Sequence, residues 1–295
     1  MKKLLFLLMF PILCFGQTYK DFLNSGISKG ESKDYYGSIA DFTKAIELKP
    51  DYAIAFYNRG QAKFNLKDYE GAIADYTKTI ELNPDYAIAF YNRGQAKFNL
   101  KDYEGAIADY TKTIELNPDY VIAYSKRANV KSDLKDYEGA NADFTKAIEL
   151  NPNNAVYYYN RGFTQIKLKK YKEAIYDFTK AIEINPQYTN AYSNRGCSKA
   201  DLKDYYGAIA DFTKAIELDP DYAVAFYNRG ESKFNLKDYE SAILDFTKAI
   251  EIKPDYGSAF YNRGYSKMKL NLNYCNDIKT ACNLGVIIAC ERLCK

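Results

Sequence analysis

The stretch AIAFYNRGQAKFNLKDYEGAIADYTKTIELNPDY occupies residues 53–86 and recurs, letter for letter, at residues 87–120. Prolines extend this period of 34 residues over most of the chain, at positions 50, 84, 118, 152, 186, 220 and 254. With each proline at position 32 of a unit, repeats start at residues 19, 53, 87, 121, 155, 189 and 223, and half of an eighth starts at 257. A fixed period of this length indicates an array of small units rather than one globular core.

Each unit is predicted to form two closely packed helices. Position 8 is glycine in every repeat except the fourth, which has Ala128, and position 24 is always Phe or Tyr. A small residue opposite a large one lets two helices approach and interlock. Asp68 and its equivalents can cap the second helix through a side-chain oxygen. The proline at position 32 then ends that helix, because proline cannot continue the hydrogen-bond ladder.

The unit resembles the tetratricopeptide repeat. In the second repeat the matching residues are Phe56, Gly60, Tyr69, Ala72, Tyr76 and Pro84, while Thr79 replaces the usual alanine. The resemblance covers residues 19 to about 270. It implies an all-α fold, a right-handed superhelical solenoid of antiparallel helix pairs with seven full repeats and a partial eighth. It also implies that the first helix of each pair lines a concave groove.

Two charged positions depart from the family pattern. Position 7, usually Leu, is Arg in seven units, and position 23, usually apolar, is Asp in seven. The first repeat has Asp41 but Ser25 in the Arg position, and the last half-repeat has Arg263 without an equivalent Asp. Pairing each Asp with the Arg eighteen residues later leaves no charge unpaired, whereas the alternative is that these charges are merely solvated. We therefore predict the inter-repeat ion pairs Asp41–Arg59, Asp75–Arg93, Asp109–Arg127, Asp143–Arg161, Asp177–Arg195, Asp211–Arg229 and Asp245–Arg263.

The resemblance assigns positions 2, 5, 6, 9, 12 and 13 of each first helix to the groove. Tyr and Phe offer apolar area at little cost in rotamer freedom, and amides can hydrogen-bond an extended main chain in both directions. We therefore predict an extended peptide or protein segment as the ligand, with packing between helices as the alternative role for the same residues. The candidates are Tyr57, Asn58, Gln61, Phe64, Asn65, Tyr91, Asn92, Gln95, Phe98, Asn99, Tyr227, Asn228, Phe234, Tyr261 and Asn262.

Repeat four is the least regular unit. It places Lys126 and Asn129 in the groove positions, and it has Asn141 where the other full repeats have Ile. Asn141 should cost stability unless it is hydrogen-bonded. The alternatives are a specialised patch and sequence drift tolerated in a long array.

Composition and motifs argue against catalysis and nucleic-acid binding. The chain has no His, so an imidazole base or metal ligand is excluded. Its 41 basic and 38 acidic residues form no basic footprint for nucleic acid. Nucleotide-binding loops are absent, and duplicated identical units do not supply one unique catalytic constellation. We therefore predict a non-enzymatic scaffold without a cofactor. A self-associating structural spacer is the rival, and an enzyme or a glycan-binding protein is disfavoured.

Residues 1–16 have the character of a signal peptide. Lys2 and Lys3 precede twelve mostly apolar residues, and small Gly16 follows. Twelve residues are too few for a membrane span, which needs about 20. We expect cleavage after Gly16 and a bacterial protein that is periplasmic or secreted, where disulfides can form. Lipidation of Cys14 is the alternative, but Leu13 before it does not suit such a site.

Residues 271–295 follow the array, residues 17–270, and carry four of the five cysteines that remain after cleavage. The segment ACNLGVIIACERL resembles a cysteine-bearing Sel1-like repeat with a turn at Gly285, which implies a Cys282–Cys290 bridge and leaves Cys275–Cys294 as a second. A metal site is the rival, although four thiolates normally come as two close pairs. We predict a helical cap, closed by disulfides, that covers the last repeat. Cys197 remains as an odd thiol, interpreted as a buried filler rather than an intermolecular link.

Overall fold

The computed structural model describes residues 17–291, which fold into two compact units, residues 17–123 and 124–291. The predicted signal peptide, residues 1–16, and Cys294 lie outside the described residues. Every regular element within residues 17–291 is a helix. None of these helices combines the length and apolar character needed to cross a membrane.

The helices of the repeats alternate between 13 and 14 residues, as the sequence period predicts. The first unit contains α1 (Tyr19–Glu31), α2 (Tyr35–Leu48), α3 (Ala53–Asn65), α4 (Tyr69–Leu82), α5 (Ala87–Asn99) and α6 (Tyr103–Leu116), and α7 (Val121–Asp133) spans the boundary. The second unit continues with α8 (Tyr137–Leu150), α9 (Ala155–Lys167), α10 (Tyr171–Ile184), α11 (Thr189–Asp201), α12 (Tyr205–Leu218), α13 (Ala223–Asn235), α14 (Tyr239–Ile252), α15 (Gly257–Lys269), α16 (Cys275–Asn283) and α17 (Ile287–Glu291).

The short turn inside each repeat makes its two helices antiparallel. In repeat two, Lys67 takes up a left-handed conformation with φ of 64° and reverses the chain. Asp68 then caps α4, because its Oδ1 accepts a hydrogen bond from the backbone N–H of Gly71 at 2.9 Å. Five other repeats use an aspartate at the same place, whereas repeat five has Lys170 and forms no side-chain cap.

The two helices of a repeat pack through a glycine and an aromatic ring. A Cβ atom placed on Gly60 would lie 2.9 Å from Cε1 of Tyr76, so the ring occupies the space that a side chain would need. Tyr76 is 1% exposed, and Ala72 beside it is fully buried. The predicted small-against-large packing is therefore confirmed.

Each arginine at position 7 forms a two-point ion pair with the aspartate of its own repeat. Arg59 donates from Nε to Asp75 Oδ2 at 3.0 Å and from Nη2 to Asp75 Oδ1 at 2.7 Å. The same geometry recurs in Arg93–Asp109, Arg127–Asp143, Arg161–Asp177, Arg195–Asp211 and Arg229–Asp245. The predicted register is therefore wrong for Asp41–Arg59, Asp75–Arg93, Asp109–Arg127, Asp143–Arg161, Asp177–Arg195, Asp211–Arg229 and Asp245–Arg263.

The guanidinium group does connect neighbouring repeats, but through a hydroxyl group. Arg59 donates from Nη1 to Thr43 Oγ1 of the preceding repeat at 3.0 Å. A lysine at position 11 gives the aspartate a second cation in six of the repeats; in repeat two, Lys63 Nζ lies 2.8 Å from Asp75 Oδ2. Each of these six carboxylates is thus held by two cations, which offsets the cost of taking it out of water.

The ends of the array explain why the predicted register failed. Asp41 accepts a hydrogen bond from Ser25 at 2.6 Å and pairs with Lys29 at 2.6 Å, so it does not need an arginine. Arg263 finds Asp277 of α16, with Nη2 at 2.6 Å from Oδ1. The spacing from Arg263 to Asp277 is 14 residues instead of the usual 16, which hid this partner in the sequence.

The segment after α15 completes the eighth repeat with a short second helix, α16, and a turn into α17. Ile278 of α16 lies against Gly264, where the other repeats place an aromatic ring. A disulfide joins Cys282 and Cys290, with an S–S distance of 2.01 Å, across the turn at Gly285. This bridge is confirmed. The second predicted bridge, Cys275–Cys294, involves a residue outside the described part of the chain, and the Sel1-like resemblance stays a prediction.

Repeat five is the exception in the charged network. Gln165 replaces the lysine of position 11, so Asp177 pairs with Arg161 and accepts a hydrogen bond from the Gln165 side chain. Burial raises the pKa of Asp177 above its usual value, although both partners act in the opposite direction. The Oε1 of Gln165 and the Oδ1 of Asn141 are buried without a hydrogen-bond partner among the described residues, and both side chains line a cavity of about 430 Å³. Because the Asn141 oxygen is buried without a hydrogen bond from the described residues, this residue is expected to lower the free energy of unfolding, as the sequence predicted.

Replacing Gln165 by Lys should raise the free energy of unfolding by about 1–2 kcal/mol, because it restores the second cation and removes an unpaired oxygen. The gain needs an ionised Asp177, so it should be present at neutral pH and be lost as pH falls through the pKa of that residue. Urea unfolding followed by circular dichroism at several pH values measures it. Lys97→Gln is the matched control and should lower stability by a similar amount; equal stability of all three proteins would contradict the argument.

Candidate functional site

The candidate site is the side of the first helices that carries positions 5, 6, 9, 12 and 13, which we call the groove face. In the first unit, α3 and α5 contribute the ten predicted residues from Tyr57 to Asn99. In the second unit, α13 and α15 contribute Tyr227, Asn228, Phe234, Tyr261 and Asn262. The helical spacing places these residues on one side of each helix.

Two residues of the first unit that were predicted to contact a ligand, Tyr57 and Asn92, are buried and bind each other. Tyr57 is 8% exposed, and its ring packs 5.3 Å from that of Tyr86. Its hydroxyl oxygen accepts hydrogen bonds from Gln61 Nε2 at 2.6 Å and from Asn92 Nδ2 at 3.0 Å. Burial raises the pKa of Tyr57, so the hydroxyl remains neutral. Tyr57 and Asn92 thus join two neighbouring repeats to each other. This is the packing role that the sequence offered as the alternative to ligand contact.

The other groove-face residues of the first unit are more accessible. Asn58 is half-buried and Asn65 is exposed, and with Gln61 they line a cavity of about 280 Å³. The rings of Phe64 and Phe98 are half-buried and pack edgewise or tilted on the tyrosines at position 17, while the Tyr91 ring lies between those of Tyr110 and Tyr120. Gln95 donates to Asn92, and exposed Asn99 donates to the Gln95 backbone. Asn58 and Asn65 therefore offer the amide groups best placed for a ligand in this unit.

The second unit has a pocket on its groove face. A cavity of about 340 Å³ is lined by the side chains of Glu231, Phe234, Asn235, Tyr261, Asn262 and Tyr265. Beside it, a second cavity of about 270 Å³ shares Glu231 and Asn235 and reaches Cys197 and Asp201. Asn228 donates a hydrogen bond to Cys197 Sγ at 3.4 Å.

The tyrosine-to-amide link between repeats recurs in this unit and gains a carboxylate. Asn262 donates from Nδ2 to the Tyr227 hydroxyl oxygen at 3.0 Å and to Glu231 Oε1 at 3.1 Å. Tyr227 in turn donates its hydroxyl proton to the same Oε1 at 2.8 Å. Burial raises the pKa of Glu231, and burial together with the Glu231 charge raises that of Tyr227. The link therefore holds the half-buried Glu231 side chain in place.

Besides the predicted Phe234, Tyr261 and Asn262, this pocket is lined by Glu231, Asn235 and Tyr265, and Asp201 lines the adjoining cavity. Glu231 occupies position 9, where repeats two and three have Gln61 and Gln95, and Tyr265 occupies the same position of the eighth unit. Asp201 stands at position 13, where repeats two, three and seven have asparagine. These four residues stand at positions 9 and 13, which the resemblance had already assigned to the groove.

The thiol of Cys197 is poorly reactive. Burial raises the pKa of this thiol to about 12, and the charges of Asp201 and Glu231 act in the same direction. The thiolate is the reactive form, so a thiol with this pKa stays protonated at neutral pH. Within residues 17–291, no group of three or more acidic or cysteine side chains is arranged to hold a metal ion.

Solved structures similar to this one are proteins of tetratricopeptide repeats. YrrB, described as a TPR protein with an unusual peptide-binding site, is 31% identical over 63% of this chain and 96% of its own, with a TM-score of 0.58. A tetratricopeptide repeat protein from Parabacteroides merdae is 20% identical over 85% of this chain and 99% of its own, with a TM-score of 0.59. The C-terminal part of a TPR repeat-containing protein from Cytophaga hutchinsonii is 17% identical over 81% and 98%, with a TM-score of 0.71. The last two show the fold alone.

Family models agree with the helix pairs on the position of the repeats. The tetratricopeptide repeat model matches residues 53–86, 87–120, 155–188, 189–222 and 223–256, which together are more than half of the chain. A second model, described as a TPR repeat, matches residues 31–67 and 132–169. No curated protein matches the chain in a sequence comparison. The repeated helix pairs and these matches show that the chain belongs to the tetratricopeptide repeat family.

Proposed function

We propose that this chain is an extracytoplasmic, non-enzymatic scaffold that binds an extended peptide or protein segment on its groove face. The observation that carries the proposal is the pocket of the second unit, where rings and amide groups line a cavity of about 340 Å³. A tetratricopeptide repeat array is a platform for protein partners, and the described peptide-binding site of YrrB supports the same use here. Export is supported by the signal-like residues 1–16 and by the Cys282–Cys290 disulfide, since disulfides persist in oxidising compartments.

The groove-face residues divide into internal and ligand-accessible groups. Tyr57 and Asn92 are buried and hydrogen-bonded to each other, so removing them would damage the fold before it tested binding. Asn65 is exposed, and Tyr261 is a half-buried ring at the edge of the pocket. Ligand contact is therefore assigned to the accessible residues, such as Asn65 and Tyr261. They can be truncated while the hydrogen bonds between repeats stay intact.

Selection of displayed random peptides on the chain lacking residues 1–16 tests the proposal. Selected peptides should bind the Asn65→Ala/Tyr261→Ala variant at least about tenfold more weakly than the unchanged chain, as expected when one central aromatic contact is lost. The measurement is a dissociation constant by fluorescence anisotropy.

The matched control is Glu81→Ala/Glu115→Ala, which truncates two exposed side chains on second helices. It should leave affinity within about twofold, because distant surface changes have small effects. If the selected peptides bind both variants with equal affinity, they bind outside the groove face, and the groove-face proposal is contradicted.

Self-association is the second candidate function, and exposed apolar side chains favour it. Tyr206 of α12 is 76% exposed and Leu244 of α14 is 70% exposed, both on second helices away from the groove face. Scattered exposed residues are normal in monomers, so these two carry less weight than a lined cavity. Sedimentation over a range of concentrations decides: a mass that stays at one chain rejects assembly, and a rising mass supports it.

A further inference from the structure

Glu231 makes the pocket of the second unit chemically different from the equivalent surface of the first. Repeats two and three place neutral Gln61 and Gln95 at the same position. Tyr227 and Asn262, the donors to Glu231 Oε1, are both neutral, and Glu231 forms no ion pair with a described residue. The second oxygen, Oε2, receives no hydrogen bond from the described residues.

The surroundings of Glu231 add negative rather than positive charge. On α11, Asp201 lines the adjoining cavity that Glu231 shares, and the charges of both carboxyl groups act on the Cys197 thiol that lines the same cavity. On α15, Lys269 places its ammonium 5.1 Å from the centre of the Tyr265 ring and forms no ion pair with Glu231. Lys233 of α13 is engaged with Asp245 at 2.7 Å. A partly buried carboxylate without a cation strongly favours a ligand that supplies one.

Aromatic rings form the other wall of the same pocket. The rings of Tyr261 and Tyr265 are nearly parallel, at 7°, with centroids 6.2 Å apart, and the Phe234 ring lies 5.5 Å from that of Tyr265. Ring faces attract cations, and Lys269 already uses the Tyr265 ring in this way. Carboxylate and rings together therefore suit a cationic group that also carries an apolar or planar surface.

We propose that this pocket binds an arginine side chain of the extended partner segment, with Glu231 as the acceptor and the rings of Phe234, Tyr261 and Tyr265 as the stacking wall. The inference rests on the proposed function and names the chemistry of one ligand position. Arginine fits better than lysine because its planar guanidinium group both stacks on rings and donates several hydrogen bonds in a fixed fork. Two acceptors remain for that fork, Glu231 Oε2 and the side-chain oxygen of Asn235, whose Nδ2 already donates to the Glu231 backbone at 2.9 Å.

The test compares two synthetic peptides of glycine and serine that differ in one central residue, arginine or its neutral isostere citrulline. Calorimetry with the chain lacking residues 1–16 should show the arginine peptide binding at least about tenfold more tightly. Glu231→Gln should remove this preference, because it installs the amide that repeats two and three carry. The control is Glu81→Gln, the same charge change at an exposed site, and it should leave the preference unchanged.

A second variant and a third peptide make each outcome decisive. Tyr265→Leu keeps Glu231 and should weaken the arginine peptide more than a lysine peptide, since stacking is lost while charge remains. Equal binding of arginine and citrulline peptides, or equal loss in Glu231→Gln and Glu81→Gln, would overturn the inference. If peptides from the displayed library still bind in an Asn65- and Tyr261-dependent manner, the scaffold function survives that result; if none does, both proposals fall.

Discussion

Replacing Asp109 by Asn should lower the free energy of unfolding by about 3–5 kcal/mol, the range for breaking a buried ion pair. Asp109 is 3% exposed and holds Arg93 at 2.7 Å and Lys97 at 2.8 Å. Without the carboxylate, two partly buried cations of like charge face each other. Urea unfolding gives the loss, and hydrogen exchange locates it, because repeat arrays can open one unit at a time.

A double-mutant cycle checks the register of the network directly. The coupling energy between Arg93 and Asp109 should exceed about 1.5 kcal/mol, whereas that between Asp75 and Arg93 should stay within about 0.5 kcal/mol. Asp119→Asn changes an exposed aspartate and should be nearly neutral. A larger coupling between Asp75 and Arg93 would restore the register predicted from the sequence and contradict the structure.

Replacing Phe246 by Ala should cost about 3–5 kcal/mol, as for other large-to-small changes of buried aromatic residues. Phe246 is completely buried, and its Cε1 lies 2.8 Å from where a Cβ on Gly230 would stand. Gly230 has no side chain that could fill the space left by the ring. The cavity should therefore remain open, and urea unfolding monitored by circular dichroism measures the loss.

Phe246→Tyr is the matched control, because Tyr76 and Tyr110 occupy the same position and are 1% exposed. It keeps the ring and should cost less than about 1.5 kcal/mol. An alanine variant as stable as the tyrosine variant would mean that the ring against the glycine is not what holds the two helices of a repeat together.

Much of the fold follows from the sequence because the same structural signals recur in every repeat. The 34-residue period, the glycine of position 8 and the aromatic residue of position 24 predict helix pairs and their packing, and the structure has both. Local signals were sufficient for the capping aspartates and for the Cys282–Cys290 bridge across a short turn. These features depend on residues near one another in the chain or on a contact that every unit repeats.

The candidate site was predicted only in part, because its residues have neighbours in other repeats. The groove-face positions share one side of the first helices through their spacing, yet Tyr57 and Asn92 bind each other through a hydrogen bond between repeats. Glu231 gains its importance from Asn262 of the next repeat and from the rings beside it. Position in a helix tells which side a residue faces, but not whether a neighbour already covers it.

The sequence by itself determined the repeat, the family, the helix pairs and the charged positions of the network. Only the tertiary structure decided which aspartate each arginine binds, since an inner first helix such as α3 packs against the second helices on both sides, α2 and α4, and both registers satisfy the spacing of the charges. The end of the array resolves the choice: α16 brings Asp277 to Arg263 despite a shorter connection, and Lys29 and Ser25 hold Asp41 at the other end. The partner within the repeat is selected because the packed helices bring its carboxylate within hydrogen-bond distance of the guanidinium group, whatever the separation along the chain.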